Sequence, residues 1–518
     1  MPKTVSSLEI TLSNRPSHQT ISDWLYAELR GSILEGRLRP GTRLPASRDF
    51  ARQHSLSRGT VVVVFERLLA EGYLSSRVGS GTWVSHRGAA GAHARAEPQA
   101  PPAYVRRVAS AYARPKAYEG WVAAEGRRPF QMRDPALAEF PAKLWGQIVA
   151  RRARTFKSWL HTEDDGRGYR PLREAAAHYL GSSRGVRCSA EQVIIVSGVQ
   201  QALDLLARLL LRQDDPVWVE DPAYVGAVMA FNNAGAKVVP VPVDEQGLSV
   251  SAGVRACGRP RGIYLTPAHQ FPLGMTMSLG RRMEVLKFAS RVGAFVIEDD
   301  YDSEYRFEGR PVPALQSLDR SSSVIVVGSF SKLLFPSLRL GYVVLPPSLV
   351  DYFVAFRLQT DFRSVSLDQA ALCDFIEGGH LGRHLRRMRD LYAARLAALL
   401  EGGRRHLKGL LEISNVQAGL YTAGFLGNGM TSREAEEAAA AHGVEAVAID
   451  RYTLKRPDPQ GVLLGFAAFD EATIRGGLLR LAAALGRRNI NELVEPGSEA
   501  DRPRGAVTRL RRPRPRSR

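Results

Sequence analysis

The apolar run Val324–Val327 leads directly into Gly328-Ser329-Phe330-Ser331-Lys332, and Arg339 follows in the same stretch. A lysine set among small hydroxyl residues after a strand is placed to form a Schiff base with a carbonyl. The hydroxyls and the guanidinium are suited to a phosphate. Upstream, Phe295-Val296-Ile297 ends in Glu298-Asp299-Asp300-Tyr301-Asp302. A carboxylate at such a strand end would stabilise a protonated ring nitrogen. Val193–Val196 passes into Ser197-Gly198-Val199-Gln200, a strand-to-helix turn whose unpaired N–H groups and helix dipole favour an anion. Val219-Glu220-Asp221-Pro222-Ala223-Tyr224 puts an aromatic ring on a loop just after another strand.

Singly, each feature has an ordinary explanation: a glycine turn is more often plain structure, a lone tyrosine packs, and an isolated Ser-x-Ser-Lys is a surface turn. Together, and in this order, they meet the four needs of pyridoxal phosphate: a Schiff-base lysine, an anion at the pyridine nitrogen, phosphate donors and a stacking ring. The candidate set is Lys332 for the covalent link, Asp299 for the ring nitrogen, Tyr301 for the ring oxygen and Tyr224 for stacking. Gly198, Val199 and Gln200 with Ser329, Ser331 and Arg339 are the candidate phosphate ligands. Glu298, Asp300 and Asp302 are left the lesser role of solvating the strand end.

The elements that must position these residues follow from periodicity. Short apolar strands at Val193–Val196, Pro216–Val219, Ile263–Leu265, Ala294–Ile297 and Val324–Val327 alternate with helical stretches, which predicts an α/β domain with a mostly parallel sheet. Beyond about residue 351 the chain is helix-rich. It then returns to strand-like runs near Leu420–Phe425 and Val462–Phe466, as in a smaller α+β subdomain. With 518 residues the chain exceeds the roughly 250–300 at which single cores stop growing. The predicted organisation is a first domain over 1–87, an Ala/Pro/Arg-rich flexible linker over 88–125, the α/β domain over 126–490 and a basic disordered tail over 491–518.

The first block has a different character. Ile21, Leu25, Leu29 and Ile33 recur at helical spacing, a second helix is predicted over Ser47–His54 with Ser47 or a neighbour as N-cap, and a third runs from Arg58 to about Glu71. Tyr73-Leu74 and Thr82-Trp83-Val84 flank Arg77-Val78-Gly79-Ser80-Gly81, which reads as a two-stranded wing. A formal charge of +19 points to a polyanionic partner, although the last stretch, RPRGAVTRLRRPRPRSR, alone supplies eight arginines. Three scattered cysteines, Cys188, Cys257 and Cys373, fit neither a disulfide framework nor a zinc site, and no metal is expected. No apolar run approaches the roughly 20 residues of a membrane span. With no secretory signal legible at MPKTVSSLEI, the expected location is the cytoplasm, on the nucleoid when DNA is bound.

The run LRPGTRLPASRDFARQHSLSRGTVVVVFERLLAEGYLSSRVGSGTWV resembles the winged helix-turn-helix of GntR-type regulators nearly throughout. That resemblance implies double-stranded DNA as partner, with Arg43, Arg48, Ser57, Arg58 and Thr60 facing phosphates and base edges. Arg58 would be the reader of a guanine. Gly79 and Gly81 would bring the wing to the minor groove. Val62 stands where some relatives carry a further base-contacting arginine, so their operators do not transfer. Without the resemblance, a three-helix domain with scattered arginines would serve equally as a protein-interaction module.

The segments TPAHQFPLG, EDDYDSEYRF and GSFSKLLFPSLRLGY are similar to the fold-type I aminotransferase-like domain of the MocR/GabR subfamily. This implies a bacterial transcription regulator with pyridoxal phosphate on Lys332 and a head-to-tail, domain-swapped homodimer. Three positions depart from the catalytic or the amino-acid-sensing relatives. QFPLG replaces an NPTG segment and puts Phe271 in place of its asparagine. Leu463 aligns where an arginine would fork onto a substrate carboxylate, Arg451 or Arg475 being its possible substitutes, and Gly226 stands where amino-acid-sensing relatives carry an arginine. The implied role is a sensor of pyridoxal phosphate or of an amino-bearing effector. The alternatives are a working aminotransferase with an accessory DNA-binding domain, and a DNA-binding protein with an empty pocket.

Overall fold

A computed structural model describes residues 10–486 apart from 14, 18, 78–80, 86–126, 133, 156–164, 310–311, 362–365, 428 and 456–458. The predicted linker and tail therefore lie outside the described residues. The chain divides into two compact units, Met1–Ala113 and Arg114–Arg518.

In the first unit, helix α1 spans Ile21–Leu34 and is capped by Thr20, whose hydroxyl accepts from the Asp23 N–H at 3.1 Å. Leu25, Leu29 and Ile33 are buried as their spacing predicts. Ile21 is not: it lies in the first turn at 42% exposure, and Trp24 takes the inward position. Helix α2 covers Ser47–Gln53 with Ala46 at its N-cap, so no side chain caps it and the predicted serine cap is absent. Helix α3 covers Arg58–Ala70, capped by Ser57. Strands β1 (Leu74–Arg77) and β2 (Gly81–Val84) pair antiparallel from Leu74–Val84 to Arg77–Gly81, as a wing should. Phe50 of α2 is fully buried in the shared core, its ring 5.6 Å from Phe65 and 4.5 Å from His54.

The second unit is built on an eight-stranded sheet. Its strands are β3 (Val193–Val196), β4 (Pro216–Asp221), β5 (Lys237–Asp244), β6 (Gly247–Leu248), β7 (Gly262–Leu265), β8 (Phe295–Asp300), β9 (Val324–Ser329) and β10 (Gly341–Val344). The order is β3-β10-β9-β8-β7-β4-β5-β6. Only β10 and the short β6 run against the others, so the sheet is mixed but mostly parallel. Its central strands are buried on both faces, which is why they read as unbroken apolar runs. In β9, Val324 and Val326 enter one core while Ile325 and Val327 enter the other. A second, antiparallel sheet has the order β11-β12-β14-β13, formed by Leu411–Ile413, Tyr421–Leu426, Gly461–Gly465 and Val447–Ala448.

β4, β8 and β9 extend beyond their apolar runs into Asp221, Asp300 and Ser329, because the ladder continues there: Asp300 pairs with Gly328, and Ser329 with Gly341. The parallel strands therefore end in polar residues along one edge. Among the described residues no helix is long and apolar enough to cross a membrane.

Phe50→Ala should cost the first unit about 3–5 kcal/mol, the usual penalty for emptying an aromatic site in a core. Calorimetry of the full chain should show one transition moved to lower temperature and the other in place. An unchanged thermogram would contradict this assignment of the core.

Candidate functional site

β3, β4, β7, β8 and β9 point the same way, and ligands of such sheets bind in the crevice beyond the strands' carboxyl ends. The strand ends and the segments that follow them bring all ten predicted cofactor residues onto one cavity of about 420 Å³: Gly198, Val199, Gln200, Tyr224, Asp299, Tyr301, Ser329, Ser331, Lys332 and Arg339.

Lys332 sits in the short helix Phe330–Leu333, where Ser329 caps the chain by accepting the Lys332 N–H at 3.3 Å. Burial pushes the lysine's pKa down, opposed by the nearby carboxylates of Asp302, Asp134 and Asp299. A lysine held toward its neutral form is the better nucleophile. Gly198 has φ +114°, and a Cβ there would stand 3.4 Å from the Arg339 guanidinium. The glycine thus leaves room for an anion between that guanidinium and the free N–H groups opening helix Val199–Leu210. Ser331 is already committed: its hydroxyl donates to Leu340 O at 3.2 Å and accepts from Leu340 N at 3.0 Å.

At the end of β8, Tyr264 donates to Asp299 Oδ2 at 2.7 Å, while Oδ1 is buried without a partner. Burial raises the pKa of this carboxyl to about 7, and the Tyr264 hydrogen bond only partly offsets it. One acceptor on the cavity wall therefore awaits a donor, as a protonated ring nitrogen would provide, and the residues fit pyridoxal phosphate. The other acids of the cluster do not merely solvate the strand end. Glu298, Asp300 and Asp302 are all buried. Glu298 accepts the N–H groups of Leu315 and Gln316 at 2.6 and 2.9 Å, Asp300 pairs with Arg184 at 2.8 Å, and Asp302 lies 3.0 Å from His269 Nδ1. Each acid has a buried partner from a distant segment, which no local pattern announces.

Tyr301 is held by Tyr421 at 2.7 Å and by His269 at 3.1 Å. Sequence reasoning missed Tyr264, His269 and Tyr421, because the strand-borne tyrosines and the histidine in the loop after β7 find their partners only across elements distant in sequence. Gln200 does two jobs: its side-chain N–H donates to Gly226 O at 2.9 Å and its oxygen accepts from the Tyr224 hydroxyl at 3.2 Å. A Cβ on Gly226 would stand 2.2 Å from Gln200 Oε1 and 2.5 Å from the Tyr224 ring. An arginine there would require the Gln200 amide and the Tyr224 ring to move. Phe271 meets Tyr224, Tyr301, Tyr421 and Tyr452 edge-on at 5.1–6.1 Å. Neither substitute for the missing substrate arginine reaches the cavity. Leu463 is buried beneath the small sheet, Arg451 pairs with Glu436 at 2.8 Å, and Arg475 pairs with Glu471 at 3.5 Å.

In the first unit, Arg48 and Arg58 are exposed and have no partner among the described residues, with Arg58 opening α3. Ser57 and Thr60 are tied together: the Ser57 hydroxyl accepts the Thr60 N–H at 3.2 Å and lies 3.1 Å from the Thr60 hydroxyl. Arg43 lies along Trp83 at 5.8 Å, close against Gly81. Gly79 falls outside the described residues. By contrast Arg67 is occupied within the domain, 3.8 Å over the Tyr26 ring and paired with Asp23 and Glu71. Val63, which the sequence reading passed over, is 56% exposed on α3.

Residues 21–84 match the family of bacterial regulatory proteins, gntR family, and residues 152–460 match aminotransferase class I and II. The probable rhizopine catabolism regulatory protein MocR of Rhizobium meliloti is 41% identical over 89% of this chain and 92% of its own length. The pyridoxine biosynthesis regulator PdxR of Corynebacterium glutamicum is 27% identical over 92% of this chain and 99% of its own. Among solved structures, the α-aminoadipate aminotransferase LysN of Thermus thermophilus, complexed with N-(5'-phosphopyridoxyl)-L-leucine, covers 76% of this chain and 100% of its own. It superposes with a TM-score of 0.68 at 27% identity. The fold and these neighbours indicate pyridoxal phosphate as the cofactor. The chain belongs to the GntR family of bacterial regulatory proteins and, within it, to the MocR-like transcription regulators that join a winged helix-turn-helix to an aminotransferase class I/II domain.

Proposed function

We propose that this regulator holds pyridoxal phosphate on Lys332 and uses the pocket to sense pyridoxal phosphate or an amino-bearing effector, without efficient turnover. The observation that carries the reading is that Lys332 and a buried, half-satisfied Asp299 line one cavity, while Leu463, where a substrate-carboxylate arginine would align, is buried. When bound, the cofactor supplies an aldehyde that accepts amines and a ring that withdraws electrons. Asp299 would accept the ring N–H, Tyr301 would donate to the ring oxygen, and Tyr224 would pack on the ring. Arg339, Ser329 and the N–H groups of Gly198, Val199 and Gln200 would hold the phosphate. An effector must prefer one of two conformations if it is to alter DNA binding. The name of PdxR favours a pyridoxine-related signal, and the aminotransferase neighbours favour the second reading, residual amino transfer.

At DNA, Arg58 would take a guanine edge, Arg48 a phosphate, and Val63 a thymine methyl. The domain limits 1–87, 88–125, 126–490 and 491–518 stand as proposed, with the Arg-rich tail adding non-specific attraction. A head-to-tail homodimer would present paired reading heads to an operator of two half-sites, and the working location would be the cytoplasm.

Lys332→Ala should abolish the visible absorption of the attached cofactor while leaving far-ultraviolet dichroism unchanged; a surviving borohydride-reducible adduct would assign the link to another lysine. Arg58→Ala should weaken binding to an operator obtained by selection by about 1–3 kcal/mol. Equal affinity would remove it from the reading set.

Asp299 makes a pH prediction. Its folded pKa of about 7 lies above the roughly 3.9 of an unfolded aspartate. The cofactor-free folded state therefore binds more protons between those values and loses stability as pH rises through that window. Asp299→Asn should raise the melting temperature of cofactor-free protein more at pH 8 than at pH 4, and should weaken cofactor binding. A gain independent of pH would contradict the assignment.

A further inference from the structure

The effector side of the cavity has its own chemistry. Away from the phosphate end its wall presents Asp134, Glu445, Phe271, Tyr421 and Tyr452. Among the described residues, only Lys332 and Arg339 bring positive charge to the cavity. Lys332 is the attachment point. Arg339 lies against Gly198, where the helix N-terminus makes the phosphate end. Among the described residues, a carboxylate entering beyond them would lose its water without meeting a further cation on the cavity wall. The two positions from which relatives of this fold could supply one carry no cation here: Gly226 has no side chain and packs against Gln200 and the Tyr224 ring, and Leu463 is sunk in the small-sheet core.

What the wall does offer suits the opposite sign. Asp134 is about a quarter exposed, with its side chain at 28% of full exposure and Arg127 3.9 Å away. It is near enough to Lys332 to favour the charged form of an amine. Phe271 gathers Tyr421 and Tyr452 around it at 5.8 and 5.1 Å, and aromatic rings attract ammonium groups.

We infer that the effector is a primary amine lacking a carboxylate, with a second positive charge at its far end directed to Asp134 and the Phe271–Tyr421–Tyr452 ring cluster. The inference rests on the proposed sensing role and names its ligand class. A diamine would reach Lys332's position with one nitrogen and the acidic, aromatic wall with the other.

The test compares two molecules of equal chain length, 1,4-diaminobutane and 4-aminobutanoate, on full-length protein loaded with pyridoxal phosphate. Two signals are read, the change in the cofactor's visible band and the change in operator affinity. The diamine should act at a concentration at least about tenfold lower than the amino acid. Asp134→Asn should narrow that ratio and Asp134→Arg should move it toward the acid. A wild-type response that is equal for the two, or stronger for the amino acid, overturns the inference and leaves the cofactor-bearing regulator standing. Should neither molecule move the band or the affinity, sensing of amines falls with it. A wild-type protein that shows no band after loading would instead sink the proposed attachment to Lys332.

Discussion

The constraint on which the site depends is the burial of carboxylates at the carboxyl end of β8. Four acids in five residues lie almost out of water, and each must be compensated or remain protonated. Glu298 is held by backbone N–H groups, Asp300 by Arg184 and Asp302 by His269, which leaves Asp299 with one hydroxyl and one open oxygen. Asp300 Oδ1 is likewise buried without a partner, but of the two acids only Asp299 lies on the cavity wall, so its open oxygen is the one within reach of a ligand; an unsatisfied buried polar atom costs on the order of 1–3 kcal/mol. The partners come from the helix at Arg170–Arg184, from β7, and from the segments around His269 and Leu315, so the site is coupled to much of the large domain's architecture.

That compensation also explains what the sequence could and could not disclose. Buried parallel strands announce themselves as apolar runs, and their ends and the segments after them carry Gly198, Tyr224, Asp299 and Lys332, so the order of the site was legible. Tyr264, His269 and Tyr421 were not, since their roles exist only once β7, the loop before Phe271 and β12 are assembled. The reading of the acids as solvated failed for the same reason: strand-end carboxylates are exposed on average, and Arg184 lies far away in sequence. In the DNA-binding unit the helices were evident, but the Ile21 position was misjudged because a residue in the first turn can follow the apolar period and still stand outside the core.

The departures from catalytic and amino-acid-sensing relatives take a physical form. Gly226 packs against Gln200 and Tyr224, whose side chains hydrogen-bond to each other on the cavity wall. Phe271 replaces a polar partner with an edge-packed hub for four tyrosines. Neither Gly226 nor the buried Leu463 offers a cation for a carboxylate. The proposed lack of efficient turnover rests on the loss of such a clamp, since orienting an amino acid for transfer requires groups that hold it in place.

The central claim is that chemistry at Lys332 is read out at α3. It is tested most directly by measuring operator affinity with and without a saturating amine effector, in the wild type and in Lys332→Ala. The account predicts a shift in affinity in the wild type and none in the variant. An equal shift in both proteins, or an unshifted wild type that instead carries out many turnovers of amino transfer, would contradict it.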